Sequence, residues 1–317
     1  MLTNKKISAV VICYNDAQAV PIMYQRLTKT LKKITSDYEI VYVNDASPDN
    51  AEEVLRELAA KDPLLTVINH SRNFSSHNAF ISGMTQSLGE AVAILDGDLQ
   101  DPPEMIEDFV KKWLEGYKVV YGIRVKRKAS KFMQMAYKLF YRLFRKLSYI
   151  KIPLNAGDFS LMDRKVVDTL ITMPERDIFL RGLRAWIGFK QTGIKYVRPE
   201  RMFGQTTNSL IKNIRWAKKG IFSFSYLPLE WISYFAAIIV IVSFLAIIFY
   251  LISYFFLSHG PKGIQTVIIL ILFMGGIQLL AISIIGEYLA KVFEETKQRP
   301  KYIIKSILND HRKINKH

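Results

Sequence analysis

Hydrophobic and polar positions alternate in two regimes along this chain. In the first, short β-branched runs take turns with stretches of helical spacing. Ile7 to Tyr14 reads as a strand, Ala17 to Ile34 as a helix, Glu39 to Val43 as a strand, and the stretch through Ala60 as a helix with Ser47 to Asn50 available to cap it. Leu65 to Asn69, His77 to Leu88, Ala91 to Leu95, Pro102 to Glu115 and Lys118 to Gly122 continue the pattern as strand, helix, strand, helix and strand, and a further strand is expected over Phe159 to Met162. Such alternation requires crossover connections, which predicts an α/β domain around a mostly parallel sheet.

The second regime lies toward the C-terminus. Neither Trp231 to Ser258 nor Ile264 to Gly286 contains an Asp, Glu, Lys or Arg. As helices these runs would be on the order of 35–40 Å long, enough to cross ~30 Å of hydrocarbon. The polar link from Ser258 to Gly263 between them predicts a transmembrane hairpin, about 231–257 and 264–286. Basic residues precede the first span, and Lys291, Lys297, Arg299, Lys301, Lys305, Arg312, Lys313 and Lys316 follow the second. The positive-inside rule then places both termini and the α/β domain on the cytoplasmic side of the inner membrane. Gly275, Gly276 and Gly286 would permit close helix packing, between protomers of a homo-oligomer or within one hairpin.

Charge sharpens this reading. The 317-residue chain carries a formal net charge of +16. Between Gly116 and Gly157 there is no acidic residue, and on a helix over about 129–149 Lys131, Lys138, Arg142 and Arg145 oppose Phe132, Ala136, Leu139, Phe140, Leu143 and Leu147. A basic amphipathic helix of this kind suits the membrane interface, and a juxtamembrane segment at 208–228 has the same character. The hairpin already accounts for the basic flanks, so nucleic acid is not an expected partner. Met1 to Lys6 shows no apolar leader pattern, and the single cysteine, Cys13, fits a reducing compartment.

The chemistry concentrates after the fourth strand. Asp96-Gly97-Asp98-Leu99-Gln100-Asp101-Pro102-Pro103-Glu104 directly follows the apolar run ending at Leu95. Open α/β sheets bind ligands at the C-terminal ends of such strands. Paired carboxylates there suit Mg²⁺ or Mn²⁺, which keep coordination positions for substrate phosphates. Asp45 follows the second strand at the same sheet edge, so a nucleotide can lie with its base near Asp45 and its diphosphate near the metal. No Gly-x-Gly-x-x-Gly follows the first strand and no P-loop motif is present.

Val10-Val11-Ile12-Cys13-Tyr14-Asn15, Val43-Asn44-Asp45-Ala46-Ser47-Pro48-Asp49 and the string from Leu95 to Glu104 resemble successive motifs of the GT-A glycosyltransferases, most closely the polyprenyl-phosphate subgroup. That subgroup includes dolichol-phosphate mannose synthase and the bacterial bactoprenol glucosyltransferases. The resemblance spans nearly the whole chain and implies a cytoplasmic GT-A catalytic domain at 1–207, the hairpin within 229–290 and a basic cytoplasmic tail at 291–317. It implies Asp96, Asp98 and Gln100 at the metal, and Tyr14, Asn15, Asp45 and Asp96 at the nucleotide. Asp158 is implied as the base or orienting group beside the acceptor, with Arg124, Lys131, Arg201 and Gln205 facing phosphate. Asn44 departs from the Asp of many relatives. The implied reaction is metal-dependent, inverting transfer of glucose from UDP-glucose to undecaprenyl phosphate. The alternatives are transfer from GDP-mannose or another UDP-sugar, and a non-enzymatic, membrane-anchored binding module.

Overall fold

A computed structural model describes residues 1–125, 156–203, 224–256 and 263–314. The segments expected to be amphipathic at about 129–149, and most of 208–228, lie outside the described residues, as do Lys131 and Gln205. The N-terminal part contains β1 (Ile7–Cys13), α1 (Val20–Ile34), β2 (Tyr38–Asn44), α2 (Ala51–Lys61), β3 (Leu65–His70), α3 (Ser76–Gln86), β4 (Ala91–Asp96), α4 (Ile106–Leu114) and β5 (Val119–Arg124). Then come β6 (Ala156–Asp163), α5 (Arg164–Thr172), α6 (Leu180–Trp186) and β7 (Gln191–Tyr196). The long helices α7 (Leu227–Phe256) and α8 (Ile264–Thr296) follow, then β8 (Ile304–Leu308) and the short α9 (His311–Ile314).

The eight strands among the described residues form one sheet in the order β7-β5-β6-β4-β1-β2-β3-β8. β4, β1, β2 and β3 run parallel, and β5 is parallel to β7, whereas β6 is antiparallel to both β4 and β5. The central strands are buried on both faces, which is why they read as continuous apolar runs rather than as alternation. Each fully buried Val, Leu or Ile there contributes about 1.5–3 kcal/mol relative to exposure. Helices cover both faces: Met23, Leu27 and Leu31 of α1 pack on one side, and Phe80 and Met84 of α3 on the other.

Register delivers the functional loops together. Ile12 stands opposite Asp96, and Cys13 opposite Asn44, so β1, β4 and β2 end at one level. Strand order reverses at β1, between β4 and β2, the crevice where open sheets bind ligands.

Among the described residues two helices are long and apolar enough to cross a bilayer, over Leu227–Ala246 and Leu270–Thr296, and neither stretch is buried in the protein. They pair as a hairpin, but α8 runs past the expected end at 286 to Thr296. That extension carries Lys291 and Glu295, which grip the loop before α6. Lys291 pairs with Asp177, and Glu295 accepts the backbone N–H of Arg176 at 2.8 Å.

Within the basic tail, residues 304–308 add an antiparallel edge strand to β3. Asn309 then donates from Nδ2 to the carbonyls of Ala59 and Leu65 at 2.8 and 3.0 Å. The sheet therefore takes in residues that follow both long helices.

Candidate active site

Several side chains at the strand ends are held by backbone the sequence had to force. Asn15, Ala46 and Leu99 follow β1, β2 and β4 with φ of 58°, 52° and 63°, and Ser75 precedes α3 with φ 77°. Left-handed backbone at residues other than glycine is strained, and strain of this kind gathers at ligand sites. The loops are also tied to each other. Asn15 N–H donates to Ser47 Oγ at 2.8 Å, and Ala17 N–H to Asp49 Oδ2 at 2.9 Å. Asn44, the departure from the motif, braces this edge of the sheet by donating to Asn69 Oδ1 and accepting the Ser47 N–H.

Asp96 and Asp98 flank Gly97, whose N–H donates to Ile12 O at 3.0 Å and so pins the loop to β1. Their Oδ2 atoms both approach Nη2 of Arg198, at 3.9 and 3.6 Å. Burial, and then the neighbouring Asp101, Asp98 and Asp158, push the Asp96 carboxyl above its usual range. Asp101 is buried, accepts the Tyr196 hydroxyl at 2.7 Å, and leaves Oδ2 without a hydrogen-bond partner among the described residues.

Three or more His, Cys, Asp or Glu arranged to hold a metal are not found among the described residues. Asp96 and Asp98 nevertheless converge on one cationic group, the Arg198 guanidinium, as two carboxylates and a diphosphate would on a divalent ion. Mg²⁺ is commonly held by one or two carboxylates, with substrate phosphates supplying further oxygens. The donor set therefore fits a substrate-completed metal site. Gln100 turns elsewhere: its side-chain nitrogen donates to Pro199 O at 3.1 Å, fastening the Arg198 segment over the carboxylates.

Asp158 lies within β6, not in a turn before a strand. Its oxygens accept Nε and Nη2 of Arg181 at 3.1 and 3.0 Å, and His77 Nε2 is 3.6 Å away. Burial pushes this carboxyl up, but Arg181 and His77 beside it hold it well below the usual carboxylate range. Arg184, one helical turn from Arg181, is buried and donates to the carbonyls of Gly157 and Asp158. Burial lowers its pKa to about 10.

The other expected site residues divide. Tyr14 is exposed just after β1, and Asp45 is buried just after β2. Arg201 donates to Asp16 Oδ1 at 2.8 Å, which fastens its loop to the end of β1. Arg124 lies between Asp101 and Tyr196, donating to the Tyr196 hydroxyl oxygen at 3.2 Å, and is mostly covered. Sequence reasoning missed Arg181, Arg184 and Arg198. The first two carried a signal, two cations at i and i+3 in an apolar helix, since buried guanidinium groups need acceptors.

The arrangement is a crevice edged by carboxylates and braced by guanidinium groups, suited to a cation and the diphosphate it neutralises. Residues 8–171 match the family described as glycosyl transferase family 2. A Bacillus subtilis (strain 168) protein named uncharacterized glycosyltransferase YkcC is 40% identical over 94% of this chain and 92% of its own length. The prophage bactoprenol glucosyl transferase homolog of Escherichia coli (strain K12) is 36% identical over 95% of this chain and 99% of its own. Among solved structures, mannosyltransferase PcManGT from Pyrobaculum calidifontis superposes with a TM-score of 0.44 at 19% identity, over 63% of this chain and 59% of that one. With a family match across half its length and relatives alike over more than nine-tenths of it, the chain belongs to glycosyl transferase family 2 and is a glycosyltransferase of the GT-A-like α/β fold.

Proposed function

We propose that this glycosyltransferase moves glucose from UDP-glucose to undecaprenyl phosphate at the cytoplasmic face of the inner membrane, with inversion at the sugar carbon and Mg²⁺ or Mn²⁺ at the diphosphate. The observation that carries the reading is the full-length likeness to a bactoprenol glucosyl transferase homolog, catalytic domain and apolar hairpin alike. A lipid-linked acceptor gives those helices a purpose, because they hold the crevice at the leaflet where a polyprenyl phosphate presents its head.

A divalent ion held by Asp96 and Asp98 would neutralise the charge that builds on the departing diphosphate. The chain supplies the rest. Arg198, tethered through Gln100 and Pro199, adds fixed positive charge at the same oxygens. Tyr14, Asn15 and Asp45 line the path for the nucleoside. A lipid monophosphate is already largely a dianion at neutral pH, its second pKa being about 6 by analogy with phosphorylated side chains. Attack therefore does not require a strong base. Asp158, anchored by Arg181 as a fixed anion, orients the acceptor for in-line approach, and Lys131, Arg201 and Gln205 remain assigned to phosphate.

The test supplies membrane-embedded protein with undecaprenyl phosphate, Mn²⁺ and radiolabelled UDP-glucose, other UDP-sugars or GDP-mannose in turn. Label should enter organic solvent with UDP-glucose, cease on chelation, and fall at least ~100-fold in a folded Asp96→Ala/Asp98→Ala variant. Label that stays in the aqueous phase with every donor would sink the proposal.

A further inference from the structure

His70 closes β3 with its ring almost wholly buried. Nδ1 is 2.8 Å from Asp45 Oδ1, and Nε2 is 2.9 Å from Ser82 Oγ. A neutral ring satisfies both contacts, donating to the carboxylate and accepting the serine hydroxyl. Ser, His and Asp in this order match the groups of a hydrolytic triad. Ser82, however, is only 1% exposed inside α3, so no substrate reaches it. What the chain of contacts can do is hold Asp45. The same Oδ1 also accepts the Phe74 N–H at 2.9 Å, whereas Oδ2 takes no hydrogen bond from the described residues.

Two rings enclose the imidazole. Phe74 meets it edge-on at 5.7 Å, and Tyr302 stacks on it at 5.5 Å with an interplanar angle of 11°. Tyr302 belongs to the segment between α8 and β8, beyond both apolar helices. Its position is fixed by the two residues that follow it: Ile303 O accepts the Ser71 N–H at 3.0 Å, and Ile304 pairs with His70 where the β3–β8 register shifts. The chain thus enters the sheet at the residue that grips Asp45.

We propose that Tyr302 and His70 are positioning residues for the donor: the segment leaving the second apolar helix seats its tyrosine against the imidazole, and the imidazole fixes the Asp45 carboxylate for a nucleoside diphosphate. This rests on the assignment of Asp45 to the nucleotide. Without the stacked ring, water reaches the imidazole and its rotamer is no longer enforced, so the carboxylate loses a fixed donor and its aim. The effect falls on nucleotide affinity and leaves the chemical step alone.

The measurement is equilibrium binding of UDP, and separately GDP, to the purified full chain in lipid nanodiscs, with kcat and KM for the sugar nucleotide determined alongside. Tyr302→Ala should weaken nucleotide binding roughly tenfold or more, with KM rising in step and kcat within about twofold. Tyr302→Phe keeps the ring and should bind like the wild type. His70→Asn retains a nitrogen near the Nδ1 position and should fall between the two. Should Tyr302→Ala fail to fold, Tyr302→Leu fills the space without a flat ring and should show the same loss. Unchanged affinity in a folded ring-less variant overturns the inference alone, as does a loss confined to kcat. A wild type that binds neither nucleotide overturns the donor assignment with it.

Discussion

The Asp158 carboxylate receives both arms of the Arg181 guanidinium, and Arg184 takes the carbonyls beneath it, so the start of β6 is clamped from one helix. Forked, charge-assisted pairs of this kind fix direction as well as charge. Because Asp158 is held below the usual carboxylate range, it stays ionised across any practical assay pH. Protonation would set in only as pH falls through that lowered value, beneath the range where the enzyme is measured. Asp158→Asn should therefore cut kcat roughly 100-fold at every pH while leaving the acid limb of the rate profile where it is. A displaced limb would assign Asp158 to proton transfer instead. Legibility at this scale was uneven. Asp96, Asp98 and Asp158 stood out in the sequence through their motifs. Arg198 gave no signal, because an arginine in a mixed loop looks the same whether it meets solvent or a pair of carboxylates.

Elements were legible where burial was complete. β1 to β4 announce themselves as apolar runs, and their observed bounds differ from the expected ones by only a residue or so. β7 passed unseen because Gln191-Thr192-Gly193-Ile194-Lys195-Tyr196 is mostly half-buried and mixes polar with apolar side chains. β8 was hidden in a basic tail, and its partner lies far upstream, with Asn69 bonded to Ser306 across 237 positions. Within β4 and its loop, glycine has a specific duty. A Cβ at Gly97 would come within 2.5 Å of the Ile12 carbonyl oxygen, a backbone atom with no freedom to retreat. Gly97→Ala should push the loop off β1, separate Asp96 from Asp98, and cost about 1–3 kcal/mol of stability with a larger loss of transfer activity. A melt and a rate measurement on the same preparation check both parts. Wild-type activity in that variant would mean that the two carboxylates need no fixed spacing.

Across the whole molecule, the sheet is completed only by residues that follow the hairpin. A fragment ending near residue 226 keeps the crevice carboxylates but leaves the outer edge of β3 bare, and exposed strand edges invite pairing with other chains. Such a fragment should self-associate in size-exclusion chromatography with light scattering. Joining residues 297–314 to it through a flexible linker in place of the hairpin should restore a monodisperse species. Equal behaviour of the two would show β8 to be dispensable. The order of strands also has a bearing on biogenesis. Between His70 and Ile304 the ribosome must produce both apolar helices, which takes on the order of tens of seconds at ordinary elongation rates. Throughout that interval the nascent domain waits with an open seam, and the stitch that closes it arrives only after the two long apolar helices. Closure of the sheet is thereby deferred until both long helices have been made.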